Sequence, residues 1–365
     1  MILNFENKPV LVFWETTRAC SLACVHCRAS AITEPLPGEL DREQGFDLID
    51  QVTTFGKPYP TMIFTGGDPL HRKDIFELLQ HSKEKGVGFS LSPAVTDGLD
   101  REMLSKIKSL GTISISISLD GAYAETHDSI RGISGTFHKT IEVLKQSKEV
   151  GLSAQVNTTV MKRNFRELPK IFHLIKGLGV KVWEVFFLVK VGRGNAVEDL
   201  TPEENEGVCN FLYDASRSGM VVRSVEAPFI RRVAKQRSEG ANHLRTNEIY
   251  QSLSQELSAL EGMPEGNAIS TLRPSGTLDG DGIVFVGYDG SIHPGGLVPV
   301  NLGNVKSENL SEIYRNNELL REIRQRKFSG NCGLCDYREI CGGSRARAYS
   351  YHGDPLASDP ACIYS

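Results

Sequence analysis

The chain has 365 residues, 40% hydrophobic and 24% charged, with a formal net charge of −4. This composition suits a water-soluble globular protein with room for one large domain and a smaller one, and the charge gives no support to a nucleic-acid partner. No apolar run reaches membrane-spanning length, and MILNFENKPVLVFW lacks the basic region and long apolar core of a signal peptide. A cytoplasmic location is expected, where reduced thiols act as metal ligands or catalysts more often than as disulfides.

Strand-like runs alternate with amphipathic helical patterns. VLVFWE (10–15) reads as a strand, and REQGFDLIDQVTTFG carries apolar residues at helical spacing up to a glycine. TMIFTGG (61–67), VGFSLSP (87–93), ISISISLDG (113–121), SAQVNTTV (153–160) and VWEVFFLV (182–189) read as the following strands. DIFELLQHSKEKG, REMLSKIKSLG, TFHKTIEVLKQSKEVG and ELPKIFHLIKGLG supply the helices between them. Six βα units in series predict parallel strands joined by right-handed crossovers. The fold class expected is therefore α/β: a partial (β/α)6 TIM-type barrel over residues 1–195, with its working loops at the C-terminal ends of the strands. Residues 196–280 read as a helical linker or bridging region, with a Gly/Pro/Ser-rich loop at 263–282. Residues 281–365 read as a small α+β, cysteine-rich domain. It begins with the hairpin GIVFVGYDGSIHP, turning at Asp289-Gly290, and continues with the helix LSEIYRNNELLREIRQRKF.

Seven of the eight cysteines fall into two groups. Cys20, Cys24 and Cys27 form Cys-x3-Cys-x2-Cys directly after the first strand. Three thiolates leave one coordination position of a metal centre open for chemistry, whereas structural sites take four protein ligands. His26 is an awkward fourth ligand because it adjoins Cys27. Cys332, Cys335, Cys341 and Cys362 form Cys-x2-Cys-x5-Cys-x20-Cys, a complete set of four. Spacing alone leaves zinc open for this second group. Cys209, in ENEGVCNFLYDASR, reads as a buried apolar thiol.

CSLACVHC after a strand resembles the signature of the radical S-adenosylmethionine (SAM) superfamily. That resemblance implies a [4Fe–4S] cluster held by Cys20, Cys24 and Cys27, with SAM on its open iron, and reductive cleavage of SAM to a 5′-deoxyadenosyl radical. Gly66-Gly67-Asp68-Pro69 resembles the family's Gly-Gly-Glu motif, with Asp in place of Glu. Ser118-Leu119-Asp120-Gly121 matches a strand end whose serine contacts SAM in related enzymes. Arg131 resembles the arginine that pairs with the methionine carboxylate, a task suited to a guanidinium fork. Asn157 resembles a ribose contact, and Ser92 ends the third strand. The cofactor-binding set implied is thus Gly66, Gly67, Asp68, Ser92, Ser118, Asp120, Arg131 and Asn157.

YDGSIHP, LGNV, the following helix and CGLCDYREICGG resemble the C-terminal SPASM/twitch domain of radical SAM maturases. An auxiliary [4Fe–4S] cluster on Cys332, Cys335, Cys341 and Cys362 is implied. Gly295 and Arg345 stand where a full SPASM pattern has further cysteines, so one auxiliary cluster is expected rather than two. The x20 interval and CGGSRARAYSYHGDPLASDPACIY narrow the resemblance to radical SAM enzymes of alternative haem and haem d1 biosynthesis. These remodel tetrapyrrole side chains by decarboxylation or deacetylation. An anionic tetrapyrrole substrate, an electron donor such as flavodoxin or ferredoxin, and sensitivity to oxygen follow from the resemblance. Arg345, Arg347 and Arg193 are candidate carboxylate partners, and His293 a candidate iron or substrate contact, although each reads more readily as a supporting residue; no general acid or base is assigned. Two other readings stand beside this one. A radical SAM/SPASM maturase of a peptide or other cofactor is weakened by the roughly ten residues that precede the first strand. A non-catalytic iron–sulfur electron carrier would have no SAM site.

Overall fold

The computed structural model describes residues 5–240, 247–262 and 276–364. The six expected strands are present as β1 (Leu11–Glu15), β2 (Thr61–Thr65), β3 (Phe89–Leu91), β4 (Ile115–Ser118), β5 (Ala154–Val160) and β6 (Val182–Phe187). They pair in chain order, all parallel. Helices α1 (Arg42–Thr53), α2 (Ile75–Lys85), α3 (Arg101–Ser109), α4 (Ala124–Arg131), α5 (Thr136–Val150) and α6 (Leu168–Gly177) lie between them. Helix α1 starts where the sequence demands it: the Asp41 side chain accepts from Gln44 N, and the Gln44 side chain caps Asp41 in return.

The barrel reading holds, and the sheet runs further than six strands. Residues 196–280 contain α7 (Pro202–Ser216), α8 (Ile230–Ser238) and α9 (Glu248–Glu261) as expected, but also β7 (Val221–Val225), parallel to β6. The expected loop at 263–282 lies outside the described residues up to 275; beyond that come the short β8 (Leu278–Asp279) and the start of β9 (Gly282–Val286). Strand β9 pairs parallel with β1, so the C-terminal region adds an eighth parallel strand to the barrel sheet. The expected hairpin then follows as β10 (Ser291–His293) folding back on β9, with β11 (Gly303–Asn304) beyond it.

The long C-terminal helix expected from LSEIYRNNELLREIRQRKF is two helices, α10 (Leu310–Asn316) and α11 (Glu318–Arg324). Asn317 breaks them. Its backbone is extended, and its side chain accepts from Leu320 N to cap the second helix. The cysteine-rich tail carries α12 (Gly330–Leu334) and α13 (Arg345–His352). No described helix is long and apolar enough to cross a membrane.

Strand alternation sorts the barrel into a dry outside and a polar inside. Val12, Trp14, Met62, Phe64, Ile115, Ile117, Val156, Trp183 and Val185 are fully buried in the main core. Each contributes on the order of 2 kcal/mol of hydrophobic burial. Their strand neighbours Thr61, Thr65, Ser90, Ser114, Ser116, Ser118, Gln155, Asn157 and Glu184 face a central cavity of about 520 Å³. A barrel interior lined this way is built to receive a ligand rather than to be filled by side chains.

Candidate active site

The first three cysteines ride on the long loop after β1, and all three line the cavity. Backbone contacts fix that loop. Gly67 N donates to Thr17 O at 2.8 Å, Asp68 N to Ala19 O at 2.7 Å, and Cys20 N to Ile32 O at 2.7 Å. From the other side, Ala23 N donates to Arg131 O and Val25 N to Ile130 O, at 3.1 and 2.9 Å. Arg193 reaches across from the turn after β6. Its Nε donates to Cys24 O and a terminal nitrogen to Ala31 O, each at 2.8 Å.

Gly66 and Gly67 earn their place through this packing. A Cβ on Gly66 would lie 2.3 Å from Thr17 O, and one on Gly67 2.3 Å from Ala19 O; Gly66 also sits at φ +140°. The pair therefore brings two backbone segments together, the loop that carries the thiols and the end of β2. Gly67→Ala should destabilise the protein by about 3 kcal/mol, because backbone cannot yield as a side chain can. Chemical denaturation of the metal-free protein checks this, and an unchanged midpoint contradicts it.

Each of these thiols already accepts a hydrogen bond. Leu22 N donates to Cys20 Sγ at 3.4 Å, Ala31 N to Cys27 Sγ at 3.4 Å, and Arg131 to Cys24 Sγ at 3.6 Å. Burial pushes the Cys20 thiol up to about 11. The metal-free site thus keeps that proton, and ligation must release it. Among the described residues, no three His, Cys, Asp or Glu side chains close on a single ion. Three soft donors on one cavity wall suit an iron–sulfur cluster with an open position. The unpartnered buried nitrogens Arg131 Nε, His26 Nδ1 and one terminal nitrogen of Arg193 supply polar groups around it. The residues present therefore fit such a cluster.

Of the cofactor contacts expected from sequence, Gly66, Gly67, Ser92, Ser118, Arg131 and Asn157 line the same cavity as the thiols. Asp68 and Asp120 do not line it. Asp68 is 1% exposed and accepts from Leu70 N and Ala94 N, bracing the turn after β2. Asp120 is fully buried and holds Arg131 at 2.5 Å while accepting from Thr159 N at 2.7 Å. Burial acts to raise the Asp120 carboxyl, but Arg131, with His26 and His127, outweighs it and the net shift is downward. Arg131 is thereby committed to Asp120 and Cys24, leaving Nε as its unpartnered nitrogen.

His127 is buried with Nδ1 accepting from Asp120 N at 3.0 Å, and burial holds it down to about 4. The sign follows. Between about 4 and 6.5 the unfolded chain takes up a proton that the folded imidazole refuses, so stability falls as pH drops through that window. His127→Asn should flatten that part of a melting-temperature series. An identical slope in both proteins contradicts the assignment.

The second group also converges. Cys332, Cys335, Cys341 and Cys362 line one small cavity of about 30 Å³, with Arg232, Tyr337 and Tyr364. Backbone N–H groups of Tyr337, Gly343 and Asp359 donate to Cys335, Cys341 and Cys332 at 3.4, 3.4 and 3.3 Å. Burial pushes Cys341 up to about 12 and Cys362 to about 11. Cys209 lies fully buried in the core on α7, as expected.

The arginines and histidine offered as carboxylate or iron contacts are used otherwise. Arg345 donates to the carbonyls of Pro355 and Ala357, and Arg347 to those of Glu226 and Leu188. Arg193 braces the first cysteine loop. His293 is held between Ser291 Oγ and Val300 O at 2.9 and 3.0 Å, outside the lining of both cavities. Sequence reasoning missed the cavity residues Gln155, Glu184, Arg223, Glu226 and Asp279. The inward alternation of β5 and β6 was available as a signal for the first two; nothing local marks the others.

Comparison with known proteins identifies the family of the chain. The description Radical SAM superfamily matches residues 14–175. The chain is 35% identical over 369 residues to an AdoMet-dependent heme synthase of Methanosarcina barkeri, covering 100% of this chain and 99% of that protein. It is 28% identical over 368 residues to a pre-heme d1 synthase of Dinoroseobacter shibae, covering 97% of this chain and 86% of that one. Among solved structures, Streptococcus suis SuiB bound to its precursor peptide SuiA matches with a TM-score of 0.69 at 15% identity, over 99% of this chain and 77% of that one. At that identity the likeness concerns the fold alone.

Proposed function

Because the chain belongs to the radical SAM superfamily, enzymes that cleave SAM reductively with a [4Fe–4S] cluster, we propose that it remodels carboxylate-bearing side chains of an iron tetrapyrrole, by decarboxylation or deacetylation, in haem-type biosynthesis. The observation that carries this reading is the end-to-end likeness to the heme synthase. The cavity supports it: apolar Leu11, Phe13, Ile63, Phe186 and Phe285 offer surface for a flat macrocycle among the hydroxyl and amide groups.

In this reading Cys20, Cys24 and Cys27 hold the cluster, and the neighbouring N–H donors stabilise its sulfurs. When bound, cluster and SAM together supply the 5′-deoxyadenosyl radical that takes a hydrogen atom from the substrate. Ser92, Ser118 and Asn157 orient SAM on the strand ends, Gly66 and Gly67 seat the cysteine loop against them, and Asp120 fixes Arg131 beside Cys24. Cys332, Cys335, Cys341 and Cys362 hold an auxiliary [4Fe–4S] cluster. A flavodoxin- or ferredoxin-type protein supplies electrons.

Peptide maturation is the competing enzyme reading. Anaerobic reconstitution with SAM, a panel of tetrapyrroles and a short peptide, followed by mass spectrometry, separates the two. The reading expects side-chain loss from iron-coproporphyrin III or didecarboxysirohaem. Modification of the peptide alone, with neither tetrapyrrole bound nor changed, contradicts it.

A further inference from the structure

The sheet around the cavity is open on one side. Among the described residues, strand β7 pairs only with β6, while β9 on the other side of the opening pairs with β1, β8 and β10 and not with β7. Glu184, Arg223, Glu226 and Asp279 face the cavity in this part of its wall. Arg223 on β7 is the register partner of Glu184 on β6. Among the described residues Glu184 is the one charge partner of Arg223, at Coulombic range and without a hydrogen bond between them. The Glu184 carboxyl instead accepts from Gln155 Nε2 at 3.1 Å.

Glu226 and Asp279 hydrogen-bond to each other through their carboxyls, and the Ser344 hydroxyl donates to Glu226. Behind this pair stand Arg347 and Asp359 on the Glu226 side and Arg345 on the Asp279 side. Glu226 holds φ +61°, the left-handed region that a non-glycine residue rarely adopts. Burial raises Glu184, Glu226 and Asp279 alike toward their protonated forms. Of the arginines that line the cavity, Arg28, Arg131 and Arg193 are hydrogen-bonded to the protein, whereas among the described residues Arg223 makes no hydrogen bond.

We propose that the cavity wall beside the free edge of β7 binds a carboxylate of the substrate, with Arg223 as its guanidinium partner and Glu226 and Asp279 as the adjoining wall. The identity of the probe rests on the tetrapyrrole reading above; the recess itself rests on this geometry. Arg223 is an exposed residue on the cavity wall, and a charge-assisted guanidinium–carboxylate contact there is worth about 10-fold in affinity.

Absorbance titration of iron-coproporphyrin III into the reconstituted protein tests it, with Arg223→Gln, Arg223→Lys and the tetramethyl ester of the same porphyrin. Wild type should bind the acid at least about 10-fold more tightly than Arg223→Gln does, with Arg223→Lys between them. Wild type should also prefer the acid to the ester, and Arg223→Gln should lose much of that preference. If Arg223→Gln does not fold, the acid–ester comparison in wild type and Arg223→Lys decides. Equal affinity of wild type and Arg223→Gln, or of acid and ester in wild type, overturns the recess. Failure of wild type to bind the porphyrin at all overturns the tetrapyrrole reading first, and the recess with it.

Discussion

Cys24→Ala should reduce SAM cleavage to background and remove about one cluster's iron from the reconstituted protein. The thiol lines the central cavity and takes a hydrogen bond from Arg131, which is itself held by fully buried Asp120. Removing it leaves two thiolates for a site that has three. The control is Cys209→Ala, a core substitution on α7 that should cost about 1–2 kcal/mol of stability and leave the iron content intact. Iron and 5′-deoxyadenosine assays on both variants check the contrast. Retention of SAM cleavage by Cys24→Ala contradicts the assignment.

Cys335→Ala should separate two activities. Its cavity shares no lining residue with the central one, so the first cluster and its SAM chemistry should persist in part. Product formation should nevertheless disappear, and the iron content should fall by about the second cluster's share. The connection between the two sites runs through protein. Glu226 on the central cavity accepts from Ser344, Ser344 N donates to Asp359, and Asp359 N donates to Cys332 Sγ. Equal loss of SAM cleavage and product would mean that the second thiol group serves the fold rather than the reaction.

The parts of this site that sequence made legible are those where a local pattern carries the information. Three thiols in eight residues after a strand, glycines at the next strand end, and Ser118 and Asn157 on the inward face of later strands all converge on one cavity. The parts that stayed hidden depend on long-range pairing. VVRSV is a short alternating run inside a helical region, and only its register against β6 makes it a barrel strand. The hairpin beginning at Gly282 was visible as a hairpin, but its parallel seat beside β1 was not. Glu226 and Asp279 come from separate elements, so their meeting has no sequence signature. Asp68 and Asp120 sit inside recognisable motifs yet do not line the cavity: the Asp68 carboxylate accepts from Leu70 N and Ala94 N, and that of Asp120 pairs with Arg131, contacts no local pattern announces.

The most direct measurement follows the hydrogen atom. The protein, reconstituted without air, is given SAM, strong reductant and iron-coproporphyrin III deuterated on its propionate side chains. The account expects deuterium in the 5′-deoxyadenosine formed, matched by porphyrin that has lost a side-chain carboxylate. Unlabelled 5′-deoxyadenosine, formed at the same rate with and without the porphyrin, would contradict it.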